Sequence, residues 1–391
     1  MTERLCPICG AADARFHAHQ SFEALPGSLV NGYDVVCCGG CGFTFATGLP
    51  SPEEFARYYA SMSKYENGAT SYATSPEDEA RCESIVDMVR PLLPDPDVAV
   101  LDVGCATGSL LAAFKRRGVV DVEGMDPSPR CAVIARNAYG IDVLTGTTAD
   151  IAGLTRRYGV VILSHVLEHL LDPVRALRDA WQILVDEGLL VVEVPDVEGF
   201  AACARAPFQE FSVEHINYFS GASLTSSMRT AGFDRVTLER LRVPWRSNGL
   251  IPVLRAVFRK TPPMSPPASD HVSEAALVAY IAESQRIEAE VWVRIRELAS
   301  RGRPVLVWGV GTHTRHLLQS GALDGLRIAA WVDTDPKYEG TEMRGIPVLA
   351  PRDVATRGET ILISSGTVHH EIERQIREEL GGDREVVLLY E

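Results

Sequence analysis

The chain has 391 residues, 46% hydrophobic and 23% charged. That is the composition of a globular protein of two or three domains, each able to bury its own core, and it excludes wholesale disorder and fibrous repeats. With 38 basic and 52 acidic residues the net charge is −14, so neither nucleic acid nor an anionic membrane is an expected partner. The opening Met1-Thr2-Glu3-Arg4-Leu5-Cys6 has no apolar signal region and no apolar run is long enough to span a bilayer. A cytoplasmic, non-membrane protein is expected.

Residues 1–48 are rich in Cys and Gly. Five of the nine cysteines lie in the first 41 residues, and clustered cysteines without an export signal bind metal more often than they form disulfides. Cys6-Pro7-Ile8-Cys9-Gly10 and Cys38-Gly39-Gly40-Cys41-Gly42 form a pair of C-x2-C knuckles. A two-residue gap lets two thiolates grip one tetrahedral ion, and the glycines let the backbone turn around the sulfurs. Four thiolates leave no open position, so the expected zinc on Cys6, Cys9, Cys38 and Cys41 is structural. Cys37 is adjacent, but only Cys38 has the knuckle spacing.

Residues 50–93 read as helical, with one helix opening at Pro52-Glu53-Glu54 and another over 77–89. From 98 the texture alternates: strands over 98–103, 122–125, 142–144, 159–164 and 189–194, helices over 109–117, 129–139, 172–184 and 223–231, and a strand over 233–240. Fully apolar strands separated by helices predict a parallel sheet covered on both faces. Four prolines in 261–269 read as a semi-rigid linker. A long helix over 274–300 carries Leu277, Tyr280, Ile281, Ser284, Ile287, Val291, Ile295 and Leu298 on one face and reads as an arm joining two bodies. A second α/β unit follows, with strands near 305–308, 328–332, 361–364 and 386–390.

Val100-Leu101-Asp102-Val103-Gly104-Cys105-Ala106-Thr107-Gly108-Ser109-Leu110 is an apolar strand, a small-residue loop and a helix start. Asp126 stands 24 positions after Asp102 at the end of the next strand. There an acidic group can accept hydrogen bonds from both hydroxyls of a ribose. The loop lacks the final glycine of G-x-G-x-x-G, which counts against a dinucleotide. With Asp126, this pattern resembles the class I S-adenosylmethionine (SAM) methyltransferases, with Ala106 in place of their middle glycine. The resemblance implies that Gly104, Cys105, Ala106 and Gly108 face the methionine end of SAM, that Asp126 holds ribose, and that Asp150 lies near adenine. Asp102 and His165 complete the implied cofactor-binding set. His165-Val166-Leu167-Glu168-His169 also reads as H-x-x-E-H, a metalloprotease pattern that needs both histidines on one helix face. Here the first closes a strand, so that reading is set aside. The bland alternative leaves Glu168 and His169 packing the start of the next helix.

Phe211-Ser212-Val213-Glu214-His215-Ile216-Asn217-Tyr218-Phe219-Ser220 follows the strand ending Glu193-Val194-Pro195, at the sheet edge where open α/β folds bind ligands. A histidine there can act as general base near neutral pH. The competing reading is a structural histidine at the sheet edge. The four-Cys ribbon, the SAM domain, E-H-x-x-Y-F-S and the second C-terminal α/β unit together resemble the nucleotide-sugar C-methyltransferases of deoxysugar biosynthesis over nearly the whole chain. That resemblance implies methylation of a carbon next to a 4-keto group on a nucleotide-linked hexose, with His215 as base and Glu214 beside it. It also implies a pocket tyrosine from the segment after the ribbon, here Tyr65 or Tyr72, and Tyr218 is a further candidate.

In the C-terminal unit, Gly309-Val310-Gly311 follows a strand and Asp333 ends the next one. The unit is similar to the small Rossmann-like domains of sugar-modifying acetyltransferases, and His313 and Arg315 are candidate phosphate ligands at the helix start. The alternative is an interface module. The expected class is therefore α/β: a zinc-binding domain with helical extension over 1–75, a SAM-binding Rossmann-like domain over 76–245, a Pro-rich linker and connecting helix over 246–302, and a second Rossmann-like domain over 303–391. The expected partner is a small molecule, a nucleotide-linked keto-sugar. An O- or N-methyltransferase and a non-catalytic ligand-binding or scaffold protein stand as alternatives.

Overall fold

The computed structural model describes residues 4–25, 28–61, 75–93, 97–245, 249–262, 266–366, 368–380 and 384–390. The strands in chain order are β1 (Ala14–Ser21), β2 (Gly32–Cys38), β3 (Thr44–Thr47), β4 (Val100–Val103), β5 (Val122–Asp126), β6 (Val143–Thr145), β7 (Tyr158–Ser164), β8 (Leu184–Pro195), β9 (Asn217–Tyr218), β10 (Phe233–Trp245), β11 (Gly249–Lys260), β12 (Pro304–Trp308), β13 (Arg327–Val332), β14 (Glu342–Met343), β15 (Ile346–Leu349), β16 (Thr360–Ile363) and β17 (Val386–Leu388).

They form three sheets. The central one has the order β10-β11-β8-β7-β4-β5-β6. Strands β6, β5, β4, β7 and β8 run parallel, and β11 and β10 add an antiparallel edge. Both faces are apolar, as the sequence predicts. Leu101, Val103, Val161 and Leu163 point into one layer, and Val100, Val160, Ile162 and Val191 into the other. The strand order reverses between β4 and β7, which opens a crevice at their carboxyl ends.

Strand β11 corrects the expectation of a linker beginning at 246. Pro252 and Arg255 interrupt its apolar run, so the sequence does not read as a central strand. In the structure Arg255 is buried because its Nε donates to Glu193 Oε2 on β8 at 2.6 Å. Pro252 lies opposite Arg242 of β10, beyond the last residue that β11 pairs with β8.

The N-terminal sheet has the order β1-β2-β3-β9. Its last strand comes from the segment that follows β8, with Thr44 opposite Tyr218 and Phe45 opposite Asn217. Cys6, Ile8, Cys38, Cys41, Phe43 and Phe45 share one core with Leu163, Val192 and Phe219, so the cysteine ribbon is packed onto the central sheet. The helix Ser273–Ser300 bridges two cores. Leu277 and Tyr280 pack with Tyr33, Phe200 and Phe211, and Ile287, Val291 and Ile295 pack with Val305, Val307 and Trp331. The C-terminal sheet has the order β14-β15-β13-β12-β16-β17, parallel except for β14.

Candidate functional site

After β4 the chain turns through three left-handed residues, Gly104 (φ +79°), Ala106 (φ +48°) and Gly108 (φ +83°), into the helix Ser109–Arg116. A Cβ on Gly104 would stand 2.6 Å from Val166 Cγ2, so that position admits no side chain. Ala106 holds its conformation at a cost of about 1–2 kcal/mol. What holds the loop is Asp126. Its Oδ2 accepts from Ala106 N and its Oδ1 from Ser128 N, both at 2.9 Å, while Gly104 N donates to Met125 O at 2.7 Å. Asp102 is buried below the loop, and desolvation pushes its carboxyl up to about 7 against the pull of Arg81. Cys105 is buried, with its Sγ 2.5 Å from where a Gly124 Cβ would be. Asp150 is exposed and caps the turn Thr148–Gly153 through Thr147 N at 2.7 Å.

Across the crevice β7 ends at Ser164, and His165 adopts φ +55°. Its Nδ1 lies 3.0 Å from Glu168 Oε1 and its Nε2 3.3 Å from Glu193 Oε1. Desolvation opposes the charge, but these two carboxylates hold the imidazolium up to about 9. Glu193 also accepts from Arg81 Nη1 and Arg255 Nε, both at 2.6 Å, and is held well below the usual carboxylate range despite its burial. His165 thus sits among carboxylates with its side chain partly exposed. The turn Leu167–His169 follows. Glu168 is buried, and His169 Nδ1 donates to Glu214 O at 3.1 Å.

The segment 212–218 faces this turn. Ser212 Oγ accepts from His215 N at 3.1 Å and from Glu214 N at 3.3 Å. The His215 ring lies edge-on to His169, 5.0 Å between centroids. Desolvation and then the charge of His169 hold its imidazole down to about 4, so it is neutral at physiological pH. Glu214 Oε1 accepts from Tyr58 Oη at 2.7 Å. Tyr218 is buried and its hydroxyl donates to His215 O at 3.0 Å. It pins the backbone of the segment rather than facing the crevice. Tyr65 and Tyr72 lie outside the described residues. Tyr58, on the helix Pro52–Ser61, is the tyrosine that the structure brings to Glu214. It was not singled out from the sequence; the adjacent Tyr58-Tyr59 pair is the signal that could have found it, as the H-x-x-E-H spacing did for Glu168 and His169.

Arg4 ties these turns together. Its guanidinium donates to Leu170 O (3.0 Å), Leu171 O (2.8 Å), Ile216 O (3.2 Å), Ala46 O (3.1 Å) and Asn217 Oδ1 (2.8 Å). Burial lowers its pKa to about 10, still far above physiological pH. Two residues later the cysteine cluster begins. Cys6 Sγ and Cys41 Sγ are 3.6 Å apart, and Cys9 Sγ and Cys38 Sγ 3.5 Å. Four sulfurs about 2.3 Å from a zinc ion sit about 3.8 Å from one another at the corners of a tetrahedron. Gly40 N and Cys41 N point at Cys38 Sγ at 3.3 and 3.4 Å, as backbone amides do around a metal-bound thiolate. The donor set fits zinc.

A cavity of about 510 Å³ lies at the carboxyl edge of the C-terminal sheet, lined by Gly309, Gly311, Asp333 and Ser365 and reaching Ser212. Its loop repeats the bonding of the first. Gly309 N donates to Val332 O at 2.8 Å, Val310 N to Asp333 Oδ2 at 2.8 Å, and Asp335 N to Asp333 Oδ1 at 2.9 Å. Arg315 is not a free phosphate ligand: its Nε donates to Glu23 O and its Nη2 to Ser28 Oγ, fastening the helix to the β1–β2 connection. His313 lines the cavity and pairs with Tyr390.

Residues 77–238 match the family described as methyltransferase domain, and residues 302–387 the family described as C2185-like, N-terminal. A ubiquinone biosynthesis O-methyltransferase of Azorhizobium caulinodans is 27% identical over 177 residues, covering 40% of this chain and 69% of its own length. The enzyme of that name from Cereibacter sphaeroides is 34% identical over 110 residues, 27% of this chain and 44% of its own. Among solved structures, the 1,6-didemethyltoxoflavin-N1-methyltransferase of Burkholderia thailandensis is similar at 21% identity and a TM-score of 0.42, over 56% of this chain and 96% of that one. Residues 77–238, which carry β4 to β8, are a SAM-dependent methyltransferase domain. No helix among the described residues is long and apolar enough to cross a membrane.

Proposed function

We propose that the protein transfers a methyl group from SAM to a carbon next to a ketone on a small, nucleotide-linked sugar, with His215 as general base. The observation that carries this reading is a neutral imidazole at the carboxyl edge of the sheet, bonded through its backbone to Ser212, which also lines the cavity of the C-terminal sheet. SAM on the loop 104–108 supplies an electrophilic methyl group, with Asp126 toward its ribose and Asp150 toward adenine. His215 takes the proton from the carbon. The electron pair stays on the substrate as an enolate, whose carbon would take the methyl as the S–CH₃ bond breaks and S-adenosylhomocysteine leaves. Glu214, oriented by Tyr58, faces the substrate hydroxyls, and the cavity at Gly309 and Asp333 takes the nucleotide end.

In this reading residues 1–75 are a zinc-binding part whose four cysteines stabilise the fold, the methyltransferase part extends from 76 through β11, and residues 303–391 are a second Rossmann-like part. The O-methyltransferase relatives favour a second reading, in which the same imidazole deprotonates a hydroxyl. The deciding experiment is a mass-spectrometric screen of nucleotide-linked 4-keto-sugars and of phenolic and sugar hydroxyl acceptors with SAM, reading a gain of about 14 Da, the mass of the added CH₂. His215→Asn is expected to cut turnover by about 10²–10⁴-fold with SAM affinity intact. A hydroxyl product alone replaces the first reading by the second, and near-normal turnover in the variant removes His215 as base.

A further inference from the structure

The H-x-x-E-H turn holds a carboxylate that the reaction above does not use. Glu168 is fully buried on the turn Leu167–His169. Its Oε1 lies 3.0 Å from His165 Nδ1 and 3.9 Å from His169 Nε2. Its Oε2 has no hydrogen-bond partner among the described residues. A buried carboxylate oxygen without a donor is costly and rarely kept for packing alone.

The geometry says what the Glu168 carboxylate as a whole lies beside. His169 Nδ1 lies 3.1 Å from the carbonyl of Glu214. A carbonyl only accepts, so Nδ1 carries the hydrogen, and the ring turns Nε2 toward Glu168. One oxygen of Glu168, one nitrogen of His169 and one nitrogen of His215 all lie within 4.8 Å of one another. The two imidazole rings meet edge to face. The other titratable groups around this cluster are His165 and Glu193 on the sheet side and Glu214, Tyr58 and Tyr59 on the helix and loop side. Of the nearby carboxylates, Glu193 is held by two arginines and His165, and Glu214 accepts from Tyr58. Glu168 is the carboxylate that reaches the two rings, with its Oε1 3.9 Å from His169 Nε2.

We propose that Glu168 is the positioning residue and counter-charge of the base: it stabilises the proton that the His169–His215 pair takes from the substrate. The inference rests on His215 as the base. An imidazole enclosed by protein and beside a second imidazole resists a proton, and a buried negative charge nearby offsets that resistance. The proton leaves the substrate carbon for His215, the C–H electron pair remains on the substrate, and the imidazolium so formed lies against His169 and Glu168. The proton returns to water when product leaves.

The test uses the full chain labelled with ¹⁵N-histidine, with His169 and His215 signals assigned from His169→Asn and His215→Asn. In Glu168→Gln the proton affinity of the pair should fall by tenfold or more, about one pH unit in its titration. With the acceptor found in the screen, plateau turnover should fall about 10- to 100-fold. The acidic limb of kcat/KM should move to lower pH, because the base loses its proton more readily. Glu168→Asp should restore part of both changes, and SAM affinity serves as the control for folding. A lower plateau with an unmoved limb and unmoved histidine titration makes Glu168 merely structural and overturns the proposal. So does a second metal ion per chain, beyond that of the cysteine cluster, that is lost in His215→Asn. If His215→Asn itself keeps its turnover, the base assignment fails instead, which is a separate outcome.

Discussion

Replacing Arg4 by methionine tests whether the ribbon holds the catalytic turns in place. The apolar stem is kept and five guanidinium hydrogen bonds are lost. Leu170 O keeps the Asn217 side-chain amide as a donor at 2.7 Å and Ile216 O keeps the Ala46 N–H at 2.8 Å, so the main loss falls on Leu171 O. Bonds from a charged donor are worth about 1.5–3 kcal/mol each, and removing a buried charge returns part of that sum. A net loss of about 3 kcal/mol is expected, which is about 10²-fold in the opening equilibrium of the two turns. Hydrogen exchange should show it at the Ile216 amide, which bonds to Glu168 O at 2.9 Å, and at the amides of His169 and Leu170. Exchange at the loop 104–108 and SAM affinity should not change. Unaltered protection at Ile216 in a folded Arg4→Met would refute the claim that this side chain fastens the turns.

Three further outcomes follow from the geometry. Asp126→Ala should weaken SAM and S-adenosylhomocysteine alike, by about 10- to 100-fold in calorimetry, because the carboxylate contacts a part that both share; equal affinities in wild type and variant refute the placement. Metal analysis should find one zinc per chain, lost in Cys38→Ser together with thermal stability, since structural zinc contributes folding energy directly; metal retained in the variant would assign the ion elsewhere. His165 binds its proton more tightly folded, at about 9, than an exposed histidine at 6.5. Its contribution to stability is therefore complete below pH 6.5 and lost as pH rises through 9. The stability advantage of wild type over His165→Gln should shrink by on the order of 3 kcal/mol across that window, and a constant difference in denaturant melts would contradict it.

The central sheet was legible because its strands are apolar on both faces and its loop needs glycine at φ values that other residues avoid. The helix over 129–139 is found at the predicted bounds, Pro129–Tyr139, because Ser128 caps one end and Gly140 the other. Strand β11 was not legible: Arg255 reads as exposed until Glu193, 62 residues earlier, is placed beside it. The same holds in the site. Spacing drew attention to His215, but its neighbours Tyr58, Glu168 and His169 come from two other segments, and only tertiary packing brings them together. Arg315 looked like an anion ligand by its place at a helix start, but the fold uses it against Glu23 and Ser28.

The clasp at Asp126 has a thermodynamic consequence. Both oxygens already accept backbone N–H groups, so the loop is set in its binding geometry before any ligand arrives. Capture there requires no ordering of the chain, and the unfavourable entropy that accompanies a closing lid is absent from this part of the site. Asp333 holds the C-terminal loop by the same pattern, so in both sheets a carboxylate from the neighbouring strand fixes the loop through two backbone N–H groups.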